Sequence, residues 1–188
     1  MPQLAITGGE PIRRAPFPSW PVISAADEAV LLEVLHSGRW FLADKVAAFE
    51  KAFASFQDAQ FGVAVSNGTV ALQVAIEATG LQPGDEVIVP AYTFIATASS
   101  VAMVGGIPIF ADVQPGTYNL CPASVEAALT ERTRAIIAVH VAGRPADLDA
   151  LGDLARRHNL YLIEDSAQAH AAAWRGRKVG AIGQLGTF

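Results

Sequence analysis

The segment LYLIEDSAQAH, residues 160–170, sets two carboxylates at the end of a short apolar run. Such a run reads as a buried strand, where an ionised group is costly unless something pairs with it. Neighbouring strand residues face opposite sides, so Glu164 and Asp165 need separate partners. Three other apolar runs also end on residues able to bind or react. FGVAV leads into SNGT at 66–69, EVIVP into AYTFIA at 91–96, and RAIIAV into His140. At SNGT, a permissive Gly68, the Thr69 hydroxyl and the free N–H groups of a helix start suit a phosphate. The same residue types also make an ordinary N-cap. Tyr92 and Phe94 can lie flat against a ligand ring or pack as core. His140 reads first as structural and second as catalytic. Asp165 and His170 are too sparse a pair for a metal cluster, and no metal is expected.

The elements that would position these residues follow from the hydrophobic pattern. Ser24 with Asp27 forms a capping-box variant opening a helix to about His36. A second helix spans about 44–56, with Val46, Phe49, Phe53 and Phe56 on one face. Strands are expected at 61–66, 86–90, 107–113, 134–140 and 160–165. Between them fall helices at 69–79, 94–104, 122–130 and 147–158. Strands that are nearly continuous apolar runs, alternating with helices, predict an α/β fold: a mostly parallel sheet covered by helices on both faces. Ligands of such sheets bind beyond the carboxyl ends of the strands, where the four candidate segments lie. Residues 1–40, rich in proline, read as a lead-in segment with the first helix, and 41–188 as one larger domain.

Composition narrows the function classes. The 188 residues are 52% hydrophobic with a net charge of −5, and no basic run suggests nucleic acid. One cysteine, Cys121, forms no internal disulfide, which fits a reducing, cytoplasmic compartment. Residues 87–111 carry no charge, but Pro90, Gly105, Gly106 and Pro108 break them into strand, helix and strand rather than a membrane span. Neither a dinucleotide fingerprint nor a Walker loop is present.

Taken together, a phosphate cradle, a flat aromatic and a strand-end carboxylate describe a site for a phosphorylated heteroaromatic cofactor. Here the chain resembles the DegT/DnrJ/StrS sugar aminotransferases, pyridoxal-phosphate enzymes of fold type I. The resemblance is carried by SNGTVAL at 66–72, GDEVIVPAYTFIATA at 84–98, FADVQPGTYNL at 110–120, VHVAGRPADLDAL at 139–151, IEDSAQAH at 163–170 and GAIGQLGTF at 180–188. It implies pyridoxal 5'-phosphate as cofactor and Asp165 as the catalytic carboxylate that pairs with the protonated pyridine nitrogen. It further implies that Gln168 bonds the phenolic oxygen, Phe94 stacks on the ring, and Gly68, Thr69 and the N–H of Val70 hold the phosphate. Glu164 is left as a structural group.

The resemblance also implies the reaction: transfer of an amino group from glutamate or glutamine to a keto-sugar nucleotide, a ketocyclitol or an aminoshikimate-type acceptor. A dehydratase of the same family, or a non-catalytic binding protein of the same fold, is the alternative. The family forms homodimers, with the active site at the interface. Its Schiff-base lysine follows GTF by a few residues, and Lys45, Lys51 and Lys178 do not match that position. The expectation is therefore an N-terminal piece, inactive alone. Departures from the family pattern include Ala171, where a glycine is usual, and Ala43 with Asp44. Trp40, in SGRW, is a candidate for the substrate mouth.

Overall fold

An apolar run becomes a strand only where a neighbouring backbone completes its hydrogen-bond ladder. The computed structural model describes residues 3–41 and 43–188. The chain divides into two compact units, one through Ala43 and one over Asp44–Phe188. The helices are α1 (Ala25–Ser37), α2 (Asp44–Phe56), α3 (Gly68–Ala78), α4 (Ala96–Met103), α5 (Pro122–Ala128) and α6 (Leu148–Arg157). In the first unit, α1 opens as expected: the Ser24 hydroxyl accepts from Asp27 N–H while the Asp27 carboxylate accepts from Ser24 N–H at 2.8 Å.

In the second unit, β1 (Glu86–Pro90), β2 (Ile107–Ala111), β3 (Thr133–Val139) and β4 (Tyr161–Asp165) are joined through helices. A short antiparallel hairpin, β5 (Ala173–Trp174) with β6 (Arg177–Lys178), then leads to β7 (Leu185–Thr187). The main sheet has order β2-β1-β3-β4-β7, and every pair in it is parallel. Side-chain alternation splits its core in two. Val87, Val89, Ala135, Ile137 and Ile163 pack with Leu72, Ile76 and Val101 of α3 and α4. Ile88, Ile136, Ala138 and Leu162 pack with Val125, Leu151 and Leu154 of α5 and α6. Each fully buried aliphatic side chain contributes about 1.5–3 kcal/mol. The same alternation puts Asp165 on the α3–α4 side and Glu164 on the α5–α6 side.

The expected strand at 61–66 is a correction. Residues 61–65 form no ladder among the described residues, and Val63 and Val65 remain exposed. Ala64 N–H instead donates to the Glu50 carboxylate at 2.8 Å. The aromatic face of α2 is present as a ring cluster, Phe49 against Phe53 at 5.5 Å, yet Phe49 and Phe56 are exposed. The uncharged stretch 87–111 resolves into β1, the short α4 and β2. No helix among the described residues is long and apolar enough to cross a membrane.

Candidate active site

Asp165 ends β4 with 7% of its surface exposed. Its Oδ2 accepts from the Thr97 hydroxyl at 2.9 Å, and its Oδ1 accepts weakly from Ala167 N–H at 3.4 Å. Thr97 is itself fully buried on α4, and its hydroxyl lies 2.9 Å from that of Thr93. Thr97 has one proton and gives it to the carboxylate, so Thr93 donates to Thr97. Burial pushes the Asp165 carboxyl above its ordinary range, with the Thr97 and Ala167 bonds pulling the other way. No lysine or arginine pairs with it among the described residues.

Glu164, one residue earlier, shows the opposite balance. It is fully buried, but Gly180 N–H donates to Oε2 at 2.7 Å, and Ile182 and Gly183 N–H donate to Oε1 at 2.7 and 2.6 Å. His140 Nε2 lies 3.1 Å from Oε2, and His140 Nδ1 accepts from Ala146 N–H at 3.0 Å. The Ala146 bond leaves the ring proton on Nε2, which therefore donates to Glu164. Burial drives the Glu164 carboxyl up, and the His140, Gly180 and Gly183 bonds outweigh it, so the group sits below its ordinary value. Glu164 and His140 are structural: together they pin loop 180–183 and loop 140–146 to the sheet. The opening carboxylate pair thus separates into one group with a full donor set and one short of a strong partner.

The phosphate candidate lies at the same sheet edge. Asp165 pairs in register with Thr187, and the next residue's carbonyl, Phe188 O, would sit 3.3 Å from a Cβ added at Gly68. Asn67 caps α3, and its Oδ1 accepts Val70 N–H at 3.0 Å. Here the Val70 amide serves the cap, while Gly68 and Thr69 are the other two candidate phosphate contacts at the start of α3. Phe94 and Tyr92 follow β1 and are largely exposed, with Tyr92 stacked obliquely on Tyr118 at 5.5 Å. Thr97 N–H donates to Phe94 O at 3.1 Å, so the turn that carries Phe94 also carries the Asp165 partner. Gln168 is exposed, and its Oε1 accepts Ala142 N–H at 2.7 Å.

Lys178 lies elsewhere: its ammonium donates to Phe56 O and sits 4.0 Å over the Phe56 ring. Lys45 and Lys51 are on α2. Trp40 belongs to the first unit, where its indole N–H donates to Leu35 O at 3.2 Å. Ala171 has φ 63, a left-handed conformation that glycine adopts freely, which explains the usual glycine there. Sequence reasoning missed Thr97, Ala142 and the loop 180–183 amides. Only Thr97 left a signal, as a hydroxyl one helical turn beyond the strand-end aromatic.

The chain has the fold of solved aminotransferases. It matches the aminotransferase of Psychrobacter cryohalolentis with TM-score 0.87 at 44% identity, over 91% of this chain and 44% of that one. DesV of S. venezuelae, solved in complex with a ketimine intermediate, matches with TM-score 0.80 at 45% identity, over 82% of this chain and 42% of that one. An L-glutamine:2-deoxy-scyllo-inosose aminotransferase of Micromonospora echinospora is 47% identical over 195 residues, all of this chain and 46% of the relative. The chain thus spans about half the length of the curated relatives it matches. The model of the DegT/DnrJ/EryC1/StrS aminotransferase family matches residues 21–188, and the chain belongs to that family.

Proposed function

We propose that this chain carries the cofactor site of a pyridoxal 5'-phosphate-dependent aminotransferase that moves the amino group of L-glutamine onto a ketocyclitol. The observation that carries the reading is Asp165: a buried carboxylate held by one hydroxyl and one long amide bond, at the ligand edge of a parallel sheet. A cationic N–H donor is what that group lacks, and a protonated pyridine nitrogen supplies one. The residues present therefore fit the cofactor.

Bound pyridoxal phosphate supplies an electron-accepting ring for cleavage of the substrate C–H bond. Asp165, ionised, holds the proton on the ring nitrogen, and Thr97 fixes the carboxylate that does so. Phe94, exposed on the turn after β1, would stack on a face of the ring. Gln168 offers its Nε2 to the phenolic oxygen. The N-terminus of α3, through Gly68 and the Thr69 hydroxyl, takes the phosphate. The names of the relatives support glutamine as donor and an inosose as acceptor. A homodimer is the matching assembly.

The test is incubation of the full-length protein with pyridoxal phosphate, L-glutamine and 2-deoxy-scyllo-inosose, with products read by mass spectrometry. An aminocyclitol is expected. Failure of glutamine to change the cofactor's absorption, with no aminated product, would overturn the reading.

A further inference from the structure

Asn119 lies outside the cofactor contacts and is 3% exposed. Its Nδ2 donates to Arg144 O at 3.0 Å and to Pro145 O at 2.9 Å, and its Oδ1 accepts Val141 N–H at 3.1 Å. One side-chain amide thus grips both limbs of loop 140–146. Inside that loop Ala142 has φ 52 and Gly143 φ 82. A non-glycine residue in the left-handed region is strained and persists only where its surroundings impose it. The imposed conformation aims Ala142 N–H at Gln168 Oε1, 2.7 Å away.

That bond decides which end of Gln168 is offered to a ligand. Flipping the amide would set its NH2 against the Ala142 N–H, donor against donor. With Oε1 committed, Nε2 is free to donate, and no protein acceptor takes it among the described residues. We infer that Asn119 is a positioning residue: by clamping loop 140–146 it holds Ala142 N–H on Gln168 and presents the Gln168 NH2 as a donor to an anionic oxygen of the cofactor. This rests on the proposed cofactor reading.

Two measurements test it. In the full-length protein loaded with pyridoxal phosphate, the visible absorption band is titrated with pH. Gln168→Ala should raise the midpoint by about half a pH unit or more, since an anionic oxygen loses a donor. Asn119→Ala should shift it in the same direction and add nothing in the Gln168→Ala background. A wild-type midpoint in Asn119→Ala, or a shift fully additive with Gln168→Ala, overturns the inference. Amide exchange without cofactor needs no Asn119 variant: Ala142 N–H should be protected, and Gln168→Ala should remove that protection. Exchange of Ala142 at the unprotected rate in the unsubstituted protein overturns the link. Wild-type protein that takes up no pyridoxal phosphate overturns the cofactor reading and the role of Gln168 with it, while the exchange result still judges the Ala142–Gln168 link.

Discussion

The Thr97 hydroxyl donates to the Asp165 carboxylate across 2.9 Å, from a helix to a strand end 68 residues away in sequence. Both groups are buried, and Thr93 supplies the proton that completes the Thr97 oxygen. Thr97→Val keeps the shape and removes the donor. A bond to a charged group is worth about 1.5–3 kcal/mol. Pyridoxal-phosphate affinity should therefore fall by roughly tenfold or more, measured by absorbance titration of the full-length protein. Unchanged affinity would show that Thr97 does not orient Asp165.

Asp165→Asn should separate stability from activity. Burial raises the Asp165 carboxyl, so its ionised form opposes folding above the ordinary carboxylate range, and that opposition is relieved as pH falls through the raised value. The cofactor-free Asn variant should match or exceed the wild type in Tm at neutral pH, by up to about 2–4 °C. It should also lose the extra stability that the wild type gains on acidification. Transamination should fall by orders of magnitude, because an amide does not hold the ring nitrogen protonated. Thermal melts at two pH values and a turnover assay check both halves.

Much of this was legible from local pattern, and the rest was not for a physical reason. The parallel strands announce themselves as apolar runs, and the Ser24–Asp27 box is a local motif whose two bonds both form. Residues 61–65 carry the same apolar signal yet form no strand, because a ladder needs a second backbone that periodicity does not report. The Glu164 cluster was visible only as a question: a carboxylate inside an apolar run demands donors, but three of those donors are backbone amides 16–19 residues downstream. Backbone N–H groups have no sequence signature. The same holds for Ala142 on Gln168 and for the carbonyls gripped by Asn119. For the phosphate candidate, cap and cradle use the same residue types, and Asn67 shows the cap taking Val70.

Glu164→Gln should be strongly destabilising at neutral pH. The wild-type carboxylate accepts from three amides and an imidazole, and an amide group would turn its NH2 toward donors. A loss of roughly 3 kcal/mol or more is expected for breaking such a buried cluster. The pH sign is opposite to that of Asp165. The folded Glu164 carboxyl lies below its ordinary value, so its stabilisation is complete above that value and fades as pH falls through the lowered one. Acid unfolding of the Gln variant should lack this component. Equal acid sensitivity in both proteins would exclude Glu164 as a contributor.

Ala171→Gly should stabilise the protein. Ala171 has φ 63, and its N–H donates to Gln57 Oε1 at 3.3 Å, so the turn is held in place by a buried side chain. Relief of a left-handed alanine is worth about 1–2 kcal/mol, offset by about 0.5–1 kcal/mol for the added freedom of unfolded glycine. The expected net is a Tm rise of about 1–3 °C in a chain of this length. A lower Tm would mean that the alanine methyl contributes packing that outweighs the strain.

Gly68→Ala tests the phosphate assignment with little disturbance to the fold. Gly68 is the first residue of α3, where alanine is a better helix former than glycine. The added Cβ would lie 3.3 Å from Phe188 O, a close contact that a shift of a few tenths of an ångström relieves. Stability should therefore stay within about 1 kcal/mol of wild type, the two effects opposing each other. A phosphate seated on the α3 N-terminus would lie against the Gly68 backbone, so the shift that accommodates the methyl group would be felt at that seat. Pyridoxal-phosphate affinity should drop by about tenfold, on the scale of one lost charged hydrogen bond. Pyridoxal, which lacks the phosphate, should bind wild type and variant alike. A variant that weakens both ligands equally would show that the methyl disturbs the ring site and not a phosphate cradle. One that weakens neither would place the phosphate away from α3.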